Sequence, residues 1–102
     1  MSEGWVYLLH FERPLGKRSD RHYRGYTTDP DRRFAQHRSA KSRSRYTRAF
    51  ATAGVGFVVG GLWPGGRREE SLLKRLDARI ACAACAGRDV TWQEVAAAAA
   101  DR

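Results

Sequence analysis

Five polar side chains in this sequence have the types that phosphodiester cleavage requires. They are two tyrosines, an arginine, a histidine and a glutamate: Tyr7, Tyr23, Arg33, His37 and Glu70. Cleavage needs a base for the attacking water, positive charge at the phosphate and stabilisation of the leaving oxygen. One carboxylate is enough to hold Mg²⁺, because this ion keeps most of its waters and takes other ligands from the substrate phosphate. The residue types therefore indicate metal-assisted hydrolysis, if the fold brings them together.

Two β-type segments carry the tyrosines. The mostly apolar run Trp5–Phe11 is followed by Pro14 and Gly16, and its continuous apolar character predicts a central strand that is buried on both faces. After a polar turn, residues 22–28 alternate aromatic and polar side chains as a strand does. The two segments are predicted to pair as an antiparallel hairpin.

Two predicted helices carry the other three side chains. Asp29 and Pro30 are an N-cap and a first-turn proline, which predicts a helix over 30–39 with Arg33 and His37 one turn apart on one face. A second helix over 67–84 has Glu70 in its first turn. Its apolar stripe, predicted to pack on the sheet, is Leu72, Leu73, Leu76, Ile80 and Ala83 or Ala84.

The rest of the chain completes a small α+β domain. Residues 40–52 are predicted to hold a short helical turn, and 55–63 a third strand. Thr91 and Glu94 have capping-box spacing, which predicts a short terminal helix. The expected architecture is a three-stranded antiparallel sheet flanked by helices, in the order β-β-α-β-α plus the terminal helix. The predicted division is a domain over 1–88 and a helical tail over 89–102.

These residues resemble the signature of the GIY-YIG nuclease family. Trp-Val-Tyr at 5–7 matches the first tripeptide and Tyr-Arg-Gly at 23–25 the second, while Arg33 lies eight residues past that glycine. Glu-Ser-Leu-Leu-Lys at 70–74 fits the acidic motif, and the resemblance covers roughly 5–85. The sequence departs from the family name in its first glycine, which is a tryptophan, and in the central residue of the second tripeptide, which is an arginine. The chain resembles small bacterial single-domain members.

The resemblance implies an endonuclease that cleaves DNA with Mg²⁺ or Mn²⁺ held by Glu70, structure-selective in repair or recombination. Tyr7 is the candidate base and Tyr23 its positioning partner, with the choice between them open. A tyrosine of ordinary pKa, about 10, is a poor base at neutral pH, and a nearby guanidinium or metal charge is expected to lower that pKa. Arg33 is expected to hold the nonbridging oxygens, and His37 to donate a proton or contact phosphate.

Each residue taken singly has an ordinary structural explanation. Strand tyrosines usually pack their rings and leave the hydroxyl in water. Arg33 and His37 fit a solvated helix face, and Glu70 fits a first-turn acid paired with Lys74. The joint match to the family spacing favours the nuclease over these explanations.

The charge distribution makes nucleic acid the leading partner. The net charge is +8, and segment 13–48 holds 12 Lys or Arg against three acidic residues. The candidate DNA-binding residues are Arg24, Tyr26, Arg38, Lys41, Arg43, Arg45 and Lys74. A basic face that only aids solubility is the simpler alternative. A non-catalytic nucleic-acid-binding module is the main alternative function, followed by a protein-interaction domain.

The two cysteines, Cys82 and Cys85, form a single Cys-x-x-Cys. Two thiols are half of the ligand set of a structural zinc, and the three histidines are distant in sequence, so no zinc site within one chain is expected. Packed thiols at a helix end are the favoured interpretation, with redox or intermolecular metal binding as the others.

The N-terminus lacks the features of a signal peptide, and no apolar run approaches the roughly 20 residues of a membrane span. We therefore expect a cytoplasmic protein without membrane contact, and the resemblance to small bacterial family members implies a bacterial protein that is nucleoid-associated when bound to DNA. A partner protein or a homodimer stays open.

Overall fold

The computed structural model describes residues 4–17 and 19–101. The expectation about the N-terminus therefore concerns residues largely outside the described ones, as does the contribution of Arg18 to the basic segment. The elements are β1 (Trp5–Phe11), β2 (His22–Thr27), α1 (Pro30–His37), α2 (Arg45–Thr52), β3 (Phe57–Pro64), α3 (Arg67–Leu73), α4 (Ala78–Ala81), α5 (Ala83–Ala86) and α6 (Trp92–Ala100).

The three strands form one antiparallel sheet in the order β2-β1-β3. The predicted α+β class is confirmed, and the first strand is central as its apolar run predicts. Leu9 lies opposite Tyr23 and Tyr7 opposite Gly25 across the hairpin. A Cβ added at Gly25 would lie 2.4 Å from the Tyr7 hydroxyl oxygen, far inside van der Waals contact. Glycine at this position is therefore required by the tyrosine that it faces.

Helices cover both faces of the sheet, because successive strand residues point to opposite sides. Tyr7, Leu9 and Phe11 pack with residues of α1 and α2 in one hydrophobic cluster. Val6 and Leu8 pack with residues from β3, α3, α4 and α6 in the other. The result is a three-layer domain, and each face of the hairpin meets a different set of helices.

The prediction of one continuous helix over 67–84 is wrong. The chain forms α3, α4 and α5 instead, since Asp77 caps α4 by accepting from the Arg79 amide (3.0 Å) and Cys82 has an extended backbone (ψ 120°). The regular apolar stripe is interrupted accordingly. Leu73 and Leu76 are buried, whereas Ile80 is 48% exposed. The break turns the cysteine pair toward the sheet.

Helix α2 is longer than the short turn expected in 40–52. Ser44 caps it by accepting from the Thr47 amide (3.3 Å), and the Phe50 ring stacks on Phe11 at 3.9 Å. Burial of this aromatic pair supplies the stabilisation that the arginine-rich sequence by itself does not.

Helix α6 begins with the predicted capping box between Thr91 and Glu94. Val95 is buried in the α3–α6 cluster, and the Trp63 indole donates to the Val90 carbonyl (2.9 Å). The division at residue 88 stays a prediction, since the tail shares a core with β3. Among the described residues, no helix has the length and apolar character needed to cross a membrane.

Candidate active site

The Tyr7 hydroxyl lies at one end of a buried hydrogen-bond chain. Its oxygen is 2.7 Å from His37 Nε2, and His37 Nδ1 is 3.0 Å from Thr47 Oγ1. Thr47 Oγ1 is in turn 3.0 Å from the Ser42 hydroxyl. Tyr7 is fully buried and His37 is 3% exposed. Strand β1 and helices α1 and α2 thus position one continuous polar chain inside an apolar cluster.

Burial controls the protonation of this chain. It raises the pKa of Tyr7 above its ordinary value, Tyr23 raises it further, and the neighbouring Arg33 opposes the rise without overcoming it. Burial, and secondarily Arg33, lowers the pKa of His37 to about 4. At neutral pH the Tyr7 hydroxyl therefore keeps its proton and donates a hydrogen bond to the neutral imidazole of His37. The expectation that a nearby guanidinium lowers the net pKa of Tyr7 is wrong for the metal-free protein, since desolvation outweighs that charge.

Tyr23 packs its ring in this cluster. It is half-buried, stacks on Tyr46 with centroids 5.8 Å apart, and meets the His37 ring edge-on at 5.1 Å. Its centroid lies 6.3 Å from that of Tyr7. The two tyrosines are neighbours, and Tyr7 is the one that is hydrogen-bonded to the histidine.

A polar pocket of about 240 Å³ opens beside His37. Its lining residues are Arg32, Arg33, Gln36, His37, Ser42, Arg43 and Ser44. Arg33 also lies beside the Tyr7 hydroxyl and opposes the rise in the pKa of Tyr7, so one guanidinium connects the pocket with the buried chain. Arginine forks of this kind suit the oxygens of a phosphate.

Glu70 lies in the first turn of α3, 8% exposed. Its Oε1 is 3.0 Å from Arg67 Nη1, and its Oε2 is 3.5 Å from Lys74 Nζ. The carboxylate is close enough to Tyr7 to contribute to its raised pKa. A carboxylate is a ligand that Mg²⁺ and Mn²⁺ favour, and the two cations that pair with it have side chains 76% and 56% exposed, which are free to move aside. Glu70 therefore fits a divalent-metal ligand.

The candidate DNA-binding residues lie in two places. Lys41, Arg43 and Arg45 are exposed between α1 and the start of α2. Arg38 is exposed close by, with its guanidinium 4.6 Å from the Phe57 ring centroid. Of these four residues, Arg43 lines the polar pocket and Arg45 is the first residue of α2.

The other three candidates lie on the side of α3. Arg24 is half-buried and donates to the Leu76 carbonyl (2.9 Å). The Tyr26 ring is covered by the Arg67 guanidinium at 4.7 Å, and Lys74 pairs with Glu70. Tyr26 lies opposite Val6, so strand alternation directs it to the face away from Tyr7.

Sequence reasoning did not find Ser42, Thr47 and Arg67. The three-residue spacing from Arg67 to Glu70 is a helical pairing signal that could have identified the first contact of the carboxylate. No sequence signal points to Ser42 or Thr47, because their contacts with each other and with His37 depend on how α2 packs against α1.

No zinc site within one chain was expected because the histidines are distant in sequence from the cysteine pair, but the fold brings two of them next to it. His10 and His22 are opposite each other across β1 and β2, and both contact Cys85. Cys85 is exposed, in contrast to the packed thiol that was expected, while Cys82 is buried. The hairpin register places His10 and His22 opposite each other although they are distant along the sequence.

Comparison with protein families identifies one family over most of the chain. The sequence model described as the GIY-YIG catalytic domain matches residues 3–75, about 70% of the chain. The chain therefore belongs to the GIY-YIG family. No curated protein and no solved structure matches it.

Proposed function

We propose that this protein is a metal-dependent endonuclease that hydrolyses DNA phosphodiester bonds, with a role in the repair or recombination of branched DNA in the cytoplasm. The observation that carries the proposal is the Tyr7–His37 hydrogen bond with Arg33 beside it, in a chain of this nuclease family. Mg²⁺ and Mn²⁺ are the proposed ions, and DNA is the proposed partner.

Tyr7 and His37 are proposed to move the proton of the attacking water. The Tyr7 oxygen takes a proton from the water as its own proton passes to His37 Nε2, and Thr47 accepts from Nδ1 throughout. The low pKa of His37, about 4, makes the imidazolium short-lived, so the proton is readily passed on to the leaving oxygen or to solvent. Tyr7 and His37 can therefore both be uncharged before the reaction begins.

Arg33 and Glu70 are proposed to carry the charges of the site. Arg33 holds the nonbridging oxygens, on which negative charge accumulates in the transition state. A divalent ion held by Glu70 would supply further positive charge at the phosphate and activate water. Arg67 and Lys74 hold the carboxylate in position, and they neutralise it when no metal is bound.

The deciding experiment is a cleavage assay of the purified chain with Mg²⁺ or Mn²⁺ against linear duplex, flap, junction and single-stranded DNA. Glu70→Gln keeps the shape of the side chain and removes its charge. We expect cleavage to fall by about 100-fold or more, because a transition-state interaction is lost, with DNA binding retained.

Glu69→Gln is the matched control. The Glu69 side chain accepts from the Gly66 amide (2.8 Å) at the start of α3, and glutamine can accept the same bond. Cleavage near the wild-type rate is expected. Equal activity of both variants would remove Glu70 from the site, and a wild type that binds DNA but cuts none of the substrates would establish a binding module instead.

A further inference from the structure

Two histidines and two cysteines converge on the face of the hairpin opposite Tyr7. His10 Nδ1 is 3.1 Å from His22 Nε2 and 3.4 Å from Cys82 Sγ. Cys85 Sγ is 3.6 Å from His10 Nδ1 and 3.5 Å from His22 Nε2. All four ligand atoms lie within 4.8 Å of one another. We call these four residues the His/Cys cluster.

Four of the six distances among these atoms are those of a tetrahedral zinc site. With Zn–N near 2.0 Å and Zn–S near 2.3 Å, a regular tetrahedron separates two nitrogens by about 3.3 Å and a nitrogen from a sulfur by about 3.5 Å. The observed nitrogen–nitrogen distance of 3.1 Å and the nitrogen–sulfur distances of 3.4–3.6 Å agree with these values to about 0.2 Å. Ordinary packing does not require four donor atoms to face one common centre.

The backbone around the His/Cys cluster makes room for it. Gly60 on β3 lies beside Cys82, and a Cβ added there would come within 2.8 Å of Cys82 Sγ. The extended backbone at Cys82 separates α4 from α5, so that its side chain and that of Cys85 both reach the hairpin. Both thiols are free.

We propose that His10 Nδ1, His22 Nε2, Cys82 Sγ and Cys85 Sγ together bind one Zn²⁺ within a single chain. Nitrogen and thiolate ligands favour zinc over Mg²⁺, which prefers oxygen. The four protein ligands fill the tetrahedron and leave no position for substrate, so the site is structural. Binding releases the two thiol protons, and the two thiolates balance the charge of the ion.

Zinc at this position joins the hairpin to the α4–α5 segment. His10 is three residues from Tyr7 on β1, and His22 is next to Tyr23 on β2. The ion would therefore stabilise the register on which the two tyrosines depend. This inference does not rest on nuclease activity, because zinc content and folding are measured without DNA.

The test is the metal content of the full-length chain, purified under reducing conditions without chelator. We expect about one zinc per chain by elemental mass spectrometry. Co²⁺ added to the stripped protein should give the visible absorption of tetrahedral cobalt together with a thiolate charge-transfer band. Cys85→Ser should weaken zinc binding by more than the roughly 10–100-fold that loss of an outer-shell partner costs.

Ala84→Ser is the matched control, because it introduces serine at the exposed position next to Cys85 and should keep the zinc. Removing the metal from the wild type should lower Tm by several degrees, and Zn²⁺ but not Mg²⁺ should restore it. The proposal is overturned if the wild type has no zinc and gives no tetrahedral cobalt spectrum, if a Cys82–Cys85 disulfide forms in its place, or if both variants lose zinc equally.

Discussion

The two faces of the β1–β2 hairpin carry different chemistry within a few residues of each other. One face holds the Tyr7 hydroxyl beside Arg33 and an open polar pocket. The other holds the His/Cys cluster, whose nitrogen and sulfur atoms face one another. An open, cationic region suits a phosphate that must enter and leave, whereas a closed set of soft ligands suits an ion that stays. Strand alternation separates the two without any change of backbone direction.

The largest expected effect is on the cleavage rate, and it comes from removing the Tyr7 hydroxyl. This hydroxyl lies on the hairpin face that has the polar pocket, which we call the open face. Tyr7→Phe keeps the buried ring, which packs edge-on against Phe34 at 5.3 Å, and deletes the hydroxyl that is bonded to His37. Cleavage is expected to fall by about 10²–10⁴-fold, the usual contribution of a positioned acid or base. Single-turnover kinetics at saturating enzyme would measure the chemical step.

The same variant tests the separation of the two faces. Zinc content and DNA affinity of Tyr7→Phe should equal those of the wild type, because the His/Cys cluster does not contact the hydroxyl. Loss of zinc together with cleavage would show that the two faces are not independent. Unchanged cleavage would assign the base to Tyr23.

An intermediate effect is expected on the pH dependence of stability. The pKa values of His37 and His22, one on each face, are both lowered to about 4, chiefly by burial. The folded protein then binds fewer protons than the unfolded chain between about pH 6.5 and pH 4. In metal-free protein the free energy of unfolding should therefore fall as the pH drops through this range, and it should be fully retained above it.

His37→Gln should make this fall less steep, since one of the buried histidines no longer titrates. The His37 contribution is at most about 3.4 kcal/mol, from about 1.36 kcal/mol for each pKa unit. Urea unfolding at a series of pH values, with a chelator present, measures it. A slope identical to that of the wild type would mean that His37 is not buried in its neutral form.

The smallest expected effect concerns the rim of the open face. Replacing Arg43 and Arg45 with alanine should weaken DNA binding equally for all sequences, because contacts to phosphate position the protein without reading bases. Each lost phosphate contact should reduce the slope of log affinity against log salt by about 0.9. Fluorescence anisotropy over a salt series checks this, and a loss confined to one DNA sequence would indicate base recognition instead.

Most of the fold follows from local sequence patterns. The run Trp5–Phe11, the cap at Asp29 and Pro30, and the capping box at Thr91 are short-range signals, and the elements that they predict are present. The helix predicted over 67–84 is broken by a local cap at Asp77 and by the extended backbone at Cys82. The apolar stripe, from which the helix was predicted, contains no information about either feature. Helix α2 exceeds its prediction because its stability comes from Phe50 packing on Phe11, a contact between distant segments.

The sequence alone determined the family and its characteristic residues, since the spacing of Tyr7, Tyr23, Arg33 and Glu70 along the chain is itself the signal. Only the tertiary structure decided the environment of those residues. Burial raises the pKa of Tyr7 and directs its proton to His37, and a desolvation cost depends on neighbours that no spacing records. The His/Cys cluster was hidden for the same reason. Its ligands come from two strands and a helical segment, and only the register of the hairpin and the packing of α4 and α5 bring them together.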